Sequence, residues 1–137
     1  MNQFPIKNYF TLPNEIFSLG LDAGEIAVYA YLRCLENPST YQCWPSYTTI
    51  GNAVGRAKNT VMQYVDVLSE KGLISTEPTS VLTKSKIKKN GNLRYTIRPI
   101  HEAVEIFHTR QLSAIERTPE RRQIQRKLSE MDLLPGA

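Results

Sequence analysis

The stretch that most constrains this chain is residues 44–74, where two helical patterns are separated by a glycine. Ser46 is a good N-cap residue. Four residues follow Ser46 at helical spacing: Thr49, Ile50, Ala53 and Val54. Gly55 then interrupts the pattern, and glycine enters left-handed backbone dihedrals without steric cost. These residues predict a first helix that ends in a tight turn at Gly55.

A second helical pattern starts at Ala57, and Val61, Val65 and Leu68 recur on one face with Tyr64 beside them. It ends at Lys71-Gly72, a cation in the last turn followed by a glycine suited to the C′ position. Gly51 is small enough to let the two helices cross closely. Two helices, a short glycine turn and a small residue at the crossing predict a helix-turn-helix.

The outward face of the second helix indicates what the unit binds. Near its N-terminus this face carries four polar residues: Lys58, Asn59, Thr60 and Gln63. Such side chains read base edges or hold phosphates. A surface helix with only a structural role more often carries Glu and Lys pairs, and this half of the helix has none. Together with the glycine turn, the face favours nucleic-acid binding.

A preceding helix is expected to complete a three-helix core. Asp22 begins it with a near capping box, since Glu25 lies three residues on. The expected buried stripe consists of Ile26, Ala27, Ala30, Tyr31 and Cys34. We expect Trp44 to pack in the core, and a stacking platform is the alternative. Further upstream, residues 9–12 are a possible strand, and Asn14 can cap a single helical turn.

After Gly72 the hydrophobic period changes from that of a helix to that of a strand. Leu73–Glu77 reads as a strand stopped by Pro78, and Leu93–Arg98 alternates as another. Between them, Asn90-Gly91 predicts a hairpin turn, because both residues tolerate positive φ. The strand before that turn places Lys84, Lys86 and Lys88 on one face. We predict a lysine-rich hairpin, and the alternative is that these lysines only discourage strand-to-strand aggregation.

The charge distribution supports the same interpretation. The formal net charge is +4, and the positive excess lies wholly in residues 46–99, which contain nine basic and three acidic residues. Residues 1–45 are net negative and residues 100–137 are balanced. A basic face of this kind is the electrostatic footprint for a polyanion.

Other function classes find little support in the sequence. No apolar run is long enough to span a membrane, and no signal peptide precedes the domain. Cys34 and Cys43 therefore suggest a reduced, cytoplasmic setting rather than a disulfide framework. His101 and His108 do not have zinc-motif spacing relative to the cysteines. With no nucleophile–base pair, carboxylate dyad or phosphate-cradling loop, we expect no enzyme activity, no metal, no cofactor and no small-molecule ligand.

Several segments carry a family resemblance: Pro45-Ser46-Tyr47, Ile50-Gly51, Gly55-Arg56, Asn59-Thr60-Val61, Leu68 with Lys71-Gly72-Leu73-Ile74, and Lys89-Asn90-Gly91-Asn92-Leu93 with Tyr95-Thr96-Ile97. Residues from about Tyr9 to Ile100 resemble winged helix-turn-helix domains of bacterial mobile elements, which occur in plasmid and phage replication proteins and in small regulators. The segment from Leu68 to Ile74 is shared by many winged-helix families. The flanks of the wing resemble more narrowly small proteins of conjugative elements in gut Firmicutes.

The resemblance implies that polar residues of the recognition helix enter the major groove and that the wing contacts backbone or minor groove. Carried over to this chain, the expected double-stranded DNA contacts are Lys58, Asn59, Thr60 and Gln63 on the helix and Lys86, Lys88, Lys89 and Arg94 on the wing. Ser46, Arg56 and Lys84 complete the expected DNA-binding set. Tyr64 is a departure, since many relatives have a small residue there.

The last region is predicted to be a helical extension. Pro99 suits the first position of a helix, and the stripe Ile100, Ala103, Val104 and Phe107 follows it. Thr118-Pro119-Glu120 restarts a helix with Ile124, Leu128 and Met131 on one face. We expect a homodimerisation arm, because winged-helix regulators commonly bind two half-sites. For residues 100–114, folding back onto the domain is an equal alternative.

The sequence thus predicts a mainly helical α+β protein, with a winged helix-turn-helix at residues 1–99 and a helical extension at residues 100–137. Its predicted function is sequence-specific binding of duplex DNA as a transcriptional regulator of a mobile element. A replication or transfer accessory protein is the first alternative. A winged helix reused for protein interaction is the second, although that role needs no continuous basic face.

Overall fold

The computed structural model describes residues 8–82, 84, 88–116 and 119–132. After a 3-10 turn at Asn14–Ser18, the described elements are α1 (Ala23–Leu35), β1 (Gln42–Cys43), α2 (Tyr47–Val54), α3 (Lys58–Glu70), β2 (Ile74–Glu77), β3 (Ser80–Leu82), β4 (Lys88–Asn90), β5 (Arg94–Ile97), α4 (Ile100–Glu116) and α5 (Pro119–Asp132). The chain divides into two compact units, Met1–Val104 and Glu105–Ala137.

Helix α1 begins as predicted but presents a different face to the core. The Glu25 amide donates to Asp22 Oδ1 at 2.8 Å and the Asp22 amide donates to Glu25 Oε1 at 2.9 Å, which completes the capping box. The predicted buried stripe is wrong: the apolar side chains buried on α1 are Val28, Tyr29 and Leu32, whereas Cys34 is exposed. Because α1 is apolar around most of its circumference, hydrophobic spacing alone does not select the inward face.

The contact that helps to orient α1 is its crossing with α3. A Cβ added at Gly24 would lie 2.5 Å from the ring of Tyr64, so the glycine leaves the space that this tyrosine fills. Tyr64, the residue that departs from the family pattern, therefore has its matching small residue on the neighbouring helix. Helix α3 otherwise buries Val61, Val65 and Leu68, as its spacing predicts.

The turn between α2 and α3 forms as predicted. The Thr49 amide donates to Ser46 Oγ at 3.0 Å and caps α2, and Gly55 closes the helix in the left-handed region at φ 70°. The Arg56 amide donates to the Gly51 carbonyl at 3.0 Å. A Cβ on Gly51 would lie 2.5 Å from the Arg56 carbonyl oxygen, so the small residue permits the close approach of the turn.

We expect Gly55→Val to destabilise the protein by about 1–3 kcal/mol, because a β-branched residue is strained at positive φ. No atom lies within 4 Å of the Cβ position, so the cost arises from the backbone conformation and not from a clash. The matched control is Gly55→Asn, because asparagine tolerates the left-handed region and should lose only a small part of this free energy. Chemical denaturation of the three proteins measures both values, and equal stability of the valine and asparagine variants would contradict the expectation.

A three-stranded antiparallel sheet in the order β1-β5-β2 lies beside the three helices. Tyr95 of β5 is aligned with Cys43 of β1 and with Thr76 of β2, and the Tyr95 and Ile97 side chains are buried. Strand β1 was not predicted, because two residues carry no periodicity. It ends at Cys43, and the next residue, Trp44, is 50% exposed, so the predicted core packing of this tryptophan is wrong. The possible strand at residues 9–12 does not form.

Strands β3 and β4 form a hairpin, but it is not built from the predicted strands, because the expected second strand, β5, pairs with β1 and β2 instead. Ser80 is aligned with Asn90 and Leu82 with Lys88, so Asn90 belongs to a paired strand and not to a turn. Asn90-Gly91 instead lies at the root of the hairpin, where the Gly91 amide donates to the Thr79 carbonyl at 2.8 Å. The prediction that this dipeptide forms the hairpin turn is wrong, because Pro78 ends β2 and a second ladder starts two residues later. Three helices, a small sheet and this hairpin make the α+β winged helix that was predicted.

Candidate nucleic-acid interface

The exposed face of α3 carries the predicted recognition residues. Lys58, Asn59 and Gln63 are exposed and Thr60 is half-buried, all within the first two turns of the helix. The N-cap residue is Ala57, which has no side-chain acceptor, and the first turn contains no acidic residue. The amide groups of that turn therefore add the positive end of the helix dipole to the charge of Lys58.

The second half of α3 has the opposite electrostatic character. Asp66 and Glu70 are exposed there and carry negative charge. Burial raises the pKa of the Tyr47 hydroxyl, and the nearby Asp66 carboxylate raises that pKa further. Since Asp66 would repel phosphates, the favourable surface for a polyanion is limited to the N-terminal half of the helix.

Two other predicted contacts lie around the helix-turn-helix. The Ser46 hydroxyl accepts the Thr49 amide and lies 2.9 Å from Thr49 Oγ1, so it is engaged in capping α2. Arg56 lies in the turn with an exposed side chain, and its Nη1 donates to the Gly55 carbonyl at 3.1 Å. The guanidinium retains further donors and its charge, because this bond is to a neutral carbonyl.

The wing residues are described to different extents. Lys84 is exposed near the hairpin reversal, and Lys88 and Lys89 belong to β4 by their backbone. Lys86 lies outside the described residues. The wing and the start of α3 belong to the same compact unit, so the structure brings the two predicted basic regions into one domain.

Arg94 differs from the other predicted contacts because it has an anionic partner. Its guanidinium pairs with the Glu77 carboxylate, and the two residues are aligned across β2 and β5. Its Nε is buried and has no hydrogen-bond partner. Glu77 could not be predicted as the partner of Arg94 from the sequence, because this pairing depends on the register between two strands. The charge of Arg94 is therefore balanced within the protein.

The remaining chemistry of the described residues offers little reactivity. Burial, and secondarily the nearby Glu36, raise the pKa of the Cys43 thiol to about 11, so this thiol stays protonated near neutral pH. Among the residues that the structure describes, no cluster of His, Cys, Asp and Glu is arranged to hold a metal ion. No helix in the described part of the chain is long and apolar enough to cross a membrane.

Comparisons with solved structures give distant similarities. A possible transcriptional regulator from Methanosarcina mazei Go1 is 13% identical over 90% of this chain and 98% of its own, with a TM-score of 0.49. A MarR-family transcriptional regulator from Silicibacter pomeroyi is 17% identical over 88% and 78%, with a TM-score of 0.39. RV1404 from Mycobacterium tuberculosis is 15% identical over 90% and 80%, with a TM-score of 0.41. At these values the similarities decide nothing about this chain.

The sequence comparisons are more local. No curated protein matches the chain at a significant level. Residues 19–74 match the model of a helix-turn-helix domain family. The matched range extends from just before α1 to the first residue of β2 and includes all of α2, the Gly55 turn and α3. Over this range, from before α1 to the start of β2, the chain is thus similar to a helix-turn-helix domain family.

Proposed function

We propose that this protein binds double-stranded DNA sequence-specifically and regulates transcription. The observation that carries the proposal is the first half of α3, where Lys58, Asn59 and Gln63 are exposed at an acid-free helix N-terminus. An α-helix fits the major groove, and amide side chains can pair with adenine while lysine contacts guanine or phosphate.

The wing supplies the second half of the proposed interface. Its strands β3 and β4 follow α3 and β2 in the chain, and its lysines supply positive charge. Lysine acts as a point charge towards phosphate, so these contacts would add affinity to all sequences alike. We assign Arg94 a smaller contribution than the wing lysines, because the Glu77 carboxylate pairs with it.

The genetic setting of the protein is a narrower part of the proposal. The resemblance of the flanks of the wing to small proteins of conjugative elements supports a regulator of such an element. A replication or transfer accessory protein would use the same DNA chemistry, and it remains the alternative. Selection of bound sequences from random duplexes, followed by mapping them onto the source element, separates the two: sites at promoters support the regulator, and repeated sites at an origin support the alternative.

The division of labour between helix and wing gives a direct test. We expect Asn59→Ala or Gln63→Ala to relax base preference at one position and to cost about 1–3 kcal/mol on the preferred site. Lys84→Ala or Lys88→Ala should weaken binding to all sequences alike and reduce the salt slope by about one unit. Fluorescence anisotropy with preferred and scrambled duplexes measures both effects.

The matched control for the lysine variants is Arg94→Ala, which removes a positive charge that Glu77 already balances in the same domain. It should leave both affinity and salt slope close to wild type. If the wing variants altered base preference and the α3 variants did not, the assigned roles would be reversed.

We also propose that the protein acts as a homodimer through its C-terminal unit. Leu112 and Ile115 of α4 and Ile124 and Leu128 of α5 are large apolar residues that remain exposed. A second copy of the same unit could cover them symmetrically, and two protomers would place two recognition helices on two half-sites.

A further inference from the structure

We propose that Asn92 is a positioning residue that couples the wing to the helix-turn-helix, so that the wing's DNA contacts depend on its side-chain amide. This inference rests on the proposed DNA binding. It concerns how the structure holds the wing in place, and Asn92 was not among the predicted site residues.

The backbone ladder of the sheet does not continue into the wing. The β2–β5 pairing ends with Glu77 aligned with Arg94, and the β3–β4 pairing starts with Ser80 aligned with Asn90. Two residues separate the ladders on one strand and three on the other, and Pro78 has no amide hydrogen to donate. Because the two ladders are unequally spaced and Pro78 donates no hydrogen bond, backbone pairing does not fix the orientation of the wing. That orientation therefore depends on contacts at the root of the wing.

Those contacts converge on Asn92. Thr79 Oγ1 donates to the Asn92 carbonyl, and the Gly91 amide donates to the Thr79 carbonyl at 2.8 Å. The Asn92 side-chain amide donates to the Trp44 carbonyl at 3.1 Å. Trp44 lies two residues before Ser46, which caps α2. The Asn92 amide therefore joins the root of the wing to the segment that starts the helix-turn-helix.

The space beside this bond shows why one hydrogen bond matters there. A notch of about 310 Å³ separates the start of α2 from the wing root, and it is lined by Ser46, Tyr47, Pro78 and Asn92 among others. Side-chain packing therefore does not fill the gap between the two elements. The hydrogen bond from Asn92 to Trp44 lies at the edge of this notch, and it fixes the distance between the wing root and the start of α2 in place of side-chain packing.

A small rotation at the root has a large effect on the lysines. Three residues of strand span about 10 Å, so a rotation of about 20° at the root would move the far end of the hairpin by about 3–4 Å. Such a displacement exceeds the tolerance of a charge-assisted contact near 2.8 Å. Loss of the Asn92 amide should thus cost wing contacts without removing any cation.

A double-mutant cycle with Lys84 tests the coupling in the full chain, with a mixed-sequence duplex of about 30 base pairs as the probe. Asn92→Ala is expected to weaken binding by about 3–10-fold and to reduce the salt slope by about one unit or more. In the Asn92→Ala background, Lys84→Ala should add less than a twofold further loss, because the wing is already displaced. Independent effects that multiply, or an Asn92→Ala protein that binds like wild type, would overturn the coupling.

Two controls keep this result interpretable. Asn14→Ala removes an exposed asparagine from the 3-10 turn and should leave binding unchanged. The chain has one tryptophan, so Trp44 fluorescence reports on the wing root: Asn92→Ala should change its emission while the melting temperature stays within a few degrees of wild type. Unchanged Trp44 emission in a variant that binds weakly would also overturn the proposal.

If the wild-type protein bound no duplex, the proposed DNA binding itself would fail. That outcome differs from a wild-type protein that binds duplex DNA but shows no coupling between Asn92 and Lys84.

Discussion

Affinity for duplex DNA is expected to fall by roughly 10²–10⁴-fold between 50 and 200 mM salt. About five to eight phosphate contacts would give a slope of log K against log salt of about −4 to −7, since each neutralised phosphate releases condensed counterions. We leave Arg94 out of the count of phosphate-contacting cations, because the Glu77 carboxylate balances its charge. The six remaining predicted cations are Arg56, Lys58, Lys84, Lys86, Lys88 and Lys89. Full engagement of these six predicts a slope of about −5.

Titration of a fluorescent duplex at several salt concentrations measures this slope. Replacing Arg56 and Lys58 by alanine together should reduce its magnitude by about two units. Arg94→Ala should change it little, and this variant is the matched control because it also removes an arginine from the same domain. A flat salt response of the wild-type protein, or no binding at low salt, would contradict DNA binding itself.

The parts of the fold that the sequence predicted are those determined by neighbours along the chain. The Asp22 capping box joins residues three apart, and the Gly55 turn depends on one residue's dihedral angles. The buried face of α3 follows from a strict spacing of Val61, Val65 and Leu68, with polar residues elsewhere on the helix. In each case a single local requirement decides the conformation.

The errors arise where distant segments decide the outcome. The inward face of α1 is chosen by its crossing with α3, where Gly24 accommodates Tyr64 from 40 residues away. Strand β1 exists only because β5 offers it a partner, and Trp44 is exposed because that short strand ends just before it. The Asn90-Gly91 dipeptide has suitable turn chemistry, but the pairing of Ser80 with Asn90 places Asn90 in strand β4.

The same distinction applies to the candidate interface. The polar residues of α3 could be identified from the sequence, because helical spacing fixes which side is exposed once the core side is known. The neutralisation of Arg94 by Glu77 and the link from Asn92 to Trp44 could not, since each joins residues that pair only through the sheet or across the wing root. The candidate cations can thus be counted from the sequence. Which of them have their charge balanced by a carboxylate of the same chain can be seen only in the structure.

The C-terminal unit has large apolar residues that are exposed to solvent. The Leu112 side chain is 61% exposed and that of Leu128 is 54% exposed. Ile124 and Leu128 lie one turn apart on α5, with the exposed polar residues Arg126, Lys127 and Glu130 around them. Contiguous apolar surface rimmed by charge is typical of a protein-interaction site. A second copy fits the proposed function best, because a single small DNA-binding module contacts too few base pairs for high specificity.

Truncation after Arg117 is therefore expected to abolish or weaken the homodimer and to reduce affinity for a duplex with two half-sites by about 10²-fold or more, since linked binding events lose their effective concentration. Leu128→Glu should act in the same direction in the full chain, because burial of an unpaired carboxylate at a protomer interface is unfavourable. Ser129→Glu is the matched control, with the same added charge at the neighbouring exposed position. Light scattering at equal protein concentrations measures the oligomeric state, and titration of one-site and two-site duplexes measures cooperativity. A monomeric wild-type protein that binds both duplexes equally well per site would leave these apolar residues without a role in self-association.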